Sequence, residues 1–195
     1  MKTTSTMMMA VMAITTASAS AATSHWEVRT DNIVPNTVAN ALFADGEGDD
    51  WTSAFLVIDL TAGTTYQNAS GDNGAPSSAF IGFVPELEFD TYVGIIDDGT
   101  GGIAGGSAAI GGPPVSLDAP QINITWFNND TTNTGPVQIA NITFSPDATG
   151  TWELITAFAG GQLQSSGTVV NGTIVPEPAS LVLLGLGGLA VLRWR

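Results

Sequence analysis

The sequence predicts an all-β chain, an antiparallel β-sandwich, and three observations carry that expectation. Thr, Val, Ile, Phe and Trp, the residues that fit a pleated and half-buried surface, dominate the middle of the 195-residue chain. Gly and Pro punctuate it at intervals of about eight to twelve residues, the spacing of sandwiches and barrels. Several segments alternate apolar and polar residues, and none before the C-terminal tail holds a 3.6-residue period, so little helix is expected.

Taken in chain order, the first element is an export signal over residues 1–21. Lys2 supplies a positive start, Met7 to Ile14 a short apolar stretch, and Ala17-Ser18-Ala19 or Ala19-Ser20-Ala21 a small-x-small cleavage site. The body then spans residues 22–175. Asp45-Gly46-Glu47-Gly48-Asp49-Asp50 reads as a loop, residues 54–60 as a central strand covered on both faces, residues 70–76 as a loop, and residues 87–96 as a long strand. Residues 97–114 hold seven glycines and two prolines and read as a long irregular excursion. Alternation places Ile122, Ile124 and Trp126 on one face, then Ala140, Ile142 and Phe144, then Trp152, Leu154 and Phe158. The turn Pro146-Asp147-Ala148-Thr149-Gly150 predicts that the last two of these strands pair as a hairpin. Residues 139–144 with Gly150-Thr151-Trp152 resemble the late strands of cohesin-type modules. A jelly-roll or cohesin-like sandwich of about eight or nine strands is therefore expected.

The tail is the most specific segment. Val175-Pro176-Glu177-Pro178-Ala179-Ser180 precedes an apolar run over residues 181–192, and Arg193-Trp194-Arg195 closes the chain. As a helix, the fourteen residues 179–192 would be about 21 Å long, short of a roughly 30 Å hydrocarbon core. Arg193 and Arg195 can snorkel to the headgroups, Trp194 suits the interface, and positive charge at this end predicts that it stays cytoplasmic. A single short transmembrane helix is expected. Pro176-Glu177-Pro178, a short hydrophobic helix and a terminal arginine cluster together resemble the PEP-CTERM sorting signal of exported bacterial proteins. The resemblance implies recognition and processing near residues 176–178 by an exosortase, a membrane cysteine protease. It also implies a Gram-negative host that makes exopolysaccharide, and delivery to the cell surface or extracellular matrix. The body is similar to other exported proteins with this tail at Trp51, Ala54, Tyr66 and Gln67, at Phe89 to Val93, and at Thr125 to Phe127.

Composition bounds the function. There is no cysteine, so an exported body must be held by packing, with or without a metal. Of the 18 Asp and Glu residues only Glu177 lies outside residues 22–175, and of the 4 Lys and Arg residues only Arg29 lies inside. Such a surface excludes nucleic acid as a partner and favours divalent cations. One His, His25, sits close to the cleavage site where termini fray, so nucleophilic triads and zinc sites lack parts.

Carboxylates remain. Asp45, Glu47, Asp49 and Asp50 form an acidic loop with oxygen ligands for calcium, though Asp50 and Leu56 stand where an EF-hand needs its turn Gly and closing Glu. Glu86, Glu88 and Asp90 alternate, and on a strand would share one face at spacings of about 6.5–7 Å. That pattern resembles the catalytic strand of laminarinase-like glycoside hydrolases, with a different order of acids and a much shorter chain. Trp51, next to the acidic loop, is the tryptophan expected to be exposed for carbohydrate stacking; Trp126 and Trp152 belong to the core. The resulting expectation is a non-enzymatic structural or adhesive protein of the surface or exopolysaccharide matrix. A carbohydrate-binding module is the alternative, and a small glycoside hydrolase a second.

Overall fold

The structure, a computed structural model, describes residues 22–47, 51–71, 73–96, 109–117, 120–128 and 136–177. The export signal at 1–21, Pro178, the apolar run at 181–192, Arg193 and Arg195 lie outside the described residues. Among the described residues, no helix is long and apolar enough to cross a membrane.

Ten strands are present among the described residues: β1 (Thr23–Val28), β2 (Val38–Asp45), β3 (Trp51–Ala62), β4 (Tyr92–Val93), β5 (Ala109–Ser116), β6 (Gln121–Phe127), β7 (Val137–Phe144), β8 (Thr149–Phe158), β9 (Gly161–Val170) and β10 (Thr173–Pro176). They form two antiparallel sheets, one of four strands in the order β1-β2-β7-β4 and one of six in the order β10-β9-β8-β3-β6-β5. One hydrophobic core joins them, with Leu42, Ile142 and Phe144 from the smaller sheet meeting Leu56, Ile58, Ile124, Trp126, Trp152 and Leu154 from the larger. Two sheets around one shared core make a β-sandwich. The alternation read from β6 and β8 holds: Ile122, Ile124, Trp126, Trp152, Leu154 and Phe158 are all buried.

β3 is central, between β8 and β6, because its apolar residues recur along the whole strand. Its inner face, Ala54, Leu56, Ile58 and Leu60, is buried, but Phe55 and Val57 on the other face are half-buried rather than covered.

Three expectations are corrected. Residues 87–96 do not form a long strand: Pro85–Phe89 is a 3-10 helix, and only Tyr92–Val93 is extended into the smaller sheet. Pro85 starts that helix, where a missing N–H costs nothing. The strands at 140–144 and 152–158 do not pair as a hairpin. β7 pairs with β2 and β4 while β8 pairs with β3 and β9, so the turn crosses from one sheet to the other. The turn is real, with Ala148 N–H donating to Ser145 O at 3.0 Å, but Thr65 bridges Phe144 and takes the place of the expected neighbour. The end of the glycine-rich excursion, residues 109–114, belongs to strand β5, which runs on to Ser116 and pairs with β6.

A second, smaller cluster lies on the outward face of the four-stranded sheet. Val34, Ala39 and Phe89 are buried there with Tyr66 packed against them. The segment from residue 64 to residue 91, including the short helix α1 (Ser78–Ile81), joins the two sheets and contributes this cover.

Candidate functional site at the C-terminal sheet edge

The last described residues leave the body along a hairpin. Asn171 and Gly172 have φ of 51° and 75° and link Val170 to Thr173. Positive φ at both central residues is the signature of a type I′ turn, whose twist matches the strands on either side. β10 then pairs with β9 in register, Ile174 with Val169, Val175 with Thr168 and Pro176 with Gly167. Glu177 continues the ladder, its N–H donating to Ser166 O at 2.9 Å. Gly167 is required by close approach, since a Cβ there would collide with Val175 O and crowd Pro176 Cα.

Side chains fasten the same strand. Buried Asn40 on β2 accepts from Ile174 N–H at 3.0 Å and donates to Gly172 O at 2.9 Å and Ile142 O at 3.2 Å. The amide thus ties β10 to the opposite sheet, and it is satisfied, as a buried polar group must be. Trp152 Nε1–H donates to Val175 O at 3.3 Å, whereas the buried indole N–H groups of Trp26, Trp51 and Trp126 have no partner among the described residues. Pro176 and Glu177 therefore belong to the sheet, with no linker between body and motif. The sequence alone places the end of the body at residue 175 and does not announce that residues 176 and 177 continue its sheet. The Asn-Gly pair between Val169-Val170 and Ile174-Val175 was the signal that would have found the hairpin.

Beside this edge lies a groove of about 360 Å³ on the outward face of the six-stranded sheet, bordered by Val57, Asp59, Glu153, Ser166 and Glu177. Asp59 accepts from Gln121 Nε2 at 2.6 Å. Three carboxylates make the groove hostile to anions. Among the described residues, no group of three or more His, Asp or Glu side chains is placed to hold a metal ion.

Glu86, Glu88 and Asp90 share no strand face, because the first two lie on the 3-10 helix and Asp90 caps its end. Glu88 Oε1 accepts from Arg29 Nη2 at 2.7 Å, and Arg29 also makes a bidentate pair with Asp31 at 2.8 and 2.7 Å. The guanidinium lies 4.8 Å from the Phe89 ring centroid. Hydrogen bonding to Asp31, then to Glu88, holds Arg29 even more firmly protonated, and the same bond holds the Asp31 carboxyl below its ordinary value. Asp90 is buried, its Oδ1 accepting from Asn68 N–H and Thr91 N–H, both at 2.8 Å. It borders a cavity of about 300 Å³ with Ser70, Gly71, Ser77, Phe80 and Leu87. Glu88, through Arg29, and Asp90, through the backbone of Asn68 and Thr91, thus organise the loop that covers β7.

In the acidic loop, Asp45 Oδ1 accepts from Glu47 N–H at 2.9 Å, and Glu47 has φ of 47°. Asp49 and Asp50 lie outside the described residues, so the calcium set is described only in half. Trp51, expected to be exposed, is a correction: it is 2% exposed within the core, because a bulge in the pairing of β3 with β8 between Trp51 and Ser53 breaks the alternation and puts Trp51 on the same buried face as Ala54 and Leu56. It offers no stacking surface. Trp26 is half-buried, edge-on to Trp152 at 6.0 Å between ring centroids. His25 is not on a frayed end; it pairs with Phe43 in the β1–β2 ladder and stacks on its ring at 5.5 Å.

Residues 175–195 match the family model of the PEP-CTERM protein-sorting motif. Comparisons with curated proteins and with solved structures find no match. The chain therefore carries a PEP-CTERM sorting motif whose first residues are the end of strand β10. That motif implies export, anchoring in the membrane before cleavage, and processing by an exosortase.

Proposed function

We propose that this is a non-enzymatic structural or adhesive protein of the cell surface or exopolysaccharide matrix, delivered there by its sorting motif. Residues 1–21 serve as the export signal and residues 176–195 as the sorting and membrane segment, while residues 22–175 are the body that remains. The body acts as a small sandwich of the jelly-roll or cohesin-like kind. The observation that carries the reading is the sorting motif joined directly to a two-sheet body. The disposition of the acidic residues supports the non-enzymatic part: Glu88 is engaged with Arg29, and Asp90 with the loop backbone. A formal net charge of −14 makes neutral glycans, or acidic glycans bridged by divalent cations, the compatible matrix partners.

The test is localisation in an exosortase-bearing host. Wild-type protein is expected outside the cell. Removing residues 176–195, or the exosortase, is expected to abolish surface or matrix retention, and removing the exosortase is expected to leave the uncut chain in the inner membrane. Unchanged localisation in both strains would overturn the reading. Cell aggregation and matrix cohesion should fall when the protein is absent.

A further inference from the structure

We propose that the folded body gates its own processing: the sorting protease gains access to Pro176 and Glu177 only after β10 peels away from β9. The inference rests on the sorting reading above and adds a regulatory step to it. A protease cleft takes its substrate as an extended strand whose backbone groups pair with the enzyme, as in β-strand addition. In the folded body those groups are already used. Glu177 N–H is bonded to Ser166 O, Ile174 N–H to Asn40 Oδ1, and Val175 O accepts from Trp152 Nε1. Pro176 has no N–H to offer.

The geometry also explains why the outer edge cannot serve instead. The Glu177–Ser166 bond makes that pair a hydrogen-bonded one, so the alternate residues 174 and 176 direct their N positions away from β9. Asn40 occupies the first and proline removes the second. An edge strand without free donors resists addition of another strand.

Peeling is a local event. Of residues 173–176, only Ile174 is buried, while Val175, Pro176 and Glu177 are exposed. Opening from residue 177 back to residue 174 therefore needs far less than unfolding the body, and the Asn171-Gly172 turn supplies the hinge. Cleavage of a transiently opened segment follows the population of the open form when closing is fast.

The experiment is a pulse-chase of full-length chains in an exosortase-bearing host. One variant carries, after Glu177, a Gly/Ser linker of about ten residues and a second Val-Pro-Glu, so that β10 stays paired while a free copy of the motif precedes Pro178. Its processing half-time is expected to be roughly tenfold shorter than that of wild type. Ile174→Ala, which loosens β10 without altering the motif, should also speed processing; the linker variant keeps the test decisive if that substitution prevents folding. Processing of the linker variant at a rate equal to or below that of wild type would overturn the gate and leave the sorting reading intact. Failure to process either chain would overturn the sorting reading and the gate with it.

Discussion

β6 and β7 both alternate apolar with polar residues, yet their outward faces differ. On β6, Asn123 and Thr125 are half-exposed. On β7, Asn141 and Thr143 are fully buried. The difference lies in what crosses them. The segment running from residue 64 to residue 91 lies over β7, and its backbone must find partners once it leaves water. Thr143 Oγ1 donates to Phe89 O at 2.7 Å, Asn141 Nδ2 to Asp90 O at 2.7 Å, and Thr91 Oγ1 to Thr143 O at 3.2 Å. Polar residues on β7 thus receive a loop, whereas those on β6 border a half-open face. An outward row of Asn and Thr can be a solvent face or a docking platform, and only the rest of the chain decides which.

The sharpest way to break this comparison is to remove one donor from each face. Asn141→Ala leaves Asp90 O buried without its donor and is expected to cost about 1–3 kcal/mol. Asn123→Ala should stay within about 0.5 kcal/mol. Equal losses for the two, measured by denaturant unfolding, would erase the distinction. The next effect is alkaline. Tyr92 is buried beneath the cover and accepts from Gln138 Nε2 at 2.9 Å, and burial raises its phenol above the ordinary value of 10.0. A folded-state value above the unfolded one means that its contribution is complete below pH 10.0 and is lost as pH rises beyond it. Stability should fall above that pH, and Tyr92→Phe should flatten the decline.

A smaller effect comes from the clamp that closes the cover. Arg29 is largely buried while Asp31 and Glu88 are 61% and 37% exposed, so Glu88→Gln should cost only about 0–1 kcal/mol. Because Arg29 holds the Asp31 carboxyl below 3.8, that pair stabilises the fold above this pH and stops doing so as pH falls through the lowered value. An acid titration of thermal stability should show a shallow loss there that vanishes in Asp31→Asn. Smallest of all, Thr125→Val on the half-open face should change stability by less than about 0.5 kcal/mol.

The sequence was most legible where alternation and burial coincide. Ile122, Ile124, Trp126, Trp152 and Leu154 could be assigned to the core because a strand with one wet face leaves a period of two. Glu86-Leu87-Glu88-Phe89-Asp90 misled for the same reason. Leu87 and Phe89 are both buried, but the turn that buries them is a 3-10 helix begun by Pro85. The turn after Phe144 was visible, yet its residues do not encode whether the next strand returns beside β7 or crosses to the other sheet. Trp51 follows an acidic loop, which suggests exposure, but a bulge between Trp51 and Ser53 turns it to the inner face, and alternation along β3 does not announce that bulge. At the C-terminal edge, the motif was plain in the residues, but its fastening was not. Asn40 is 134 positions from Ile174, and nothing local announces their contact.

The central claim is that an exported two-sheet body ends in a sorting motif cut at its sheet edge. The most direct measurement is the intact mass and C-terminal peptide of native protein recovered from outside an exosortase-bearing host. A chain ending at or beside Pro176 to Pro178, with residues 1–21 removed, is the predicted result. A cytosolic chain running from Met1 through Arg195 would contradict it.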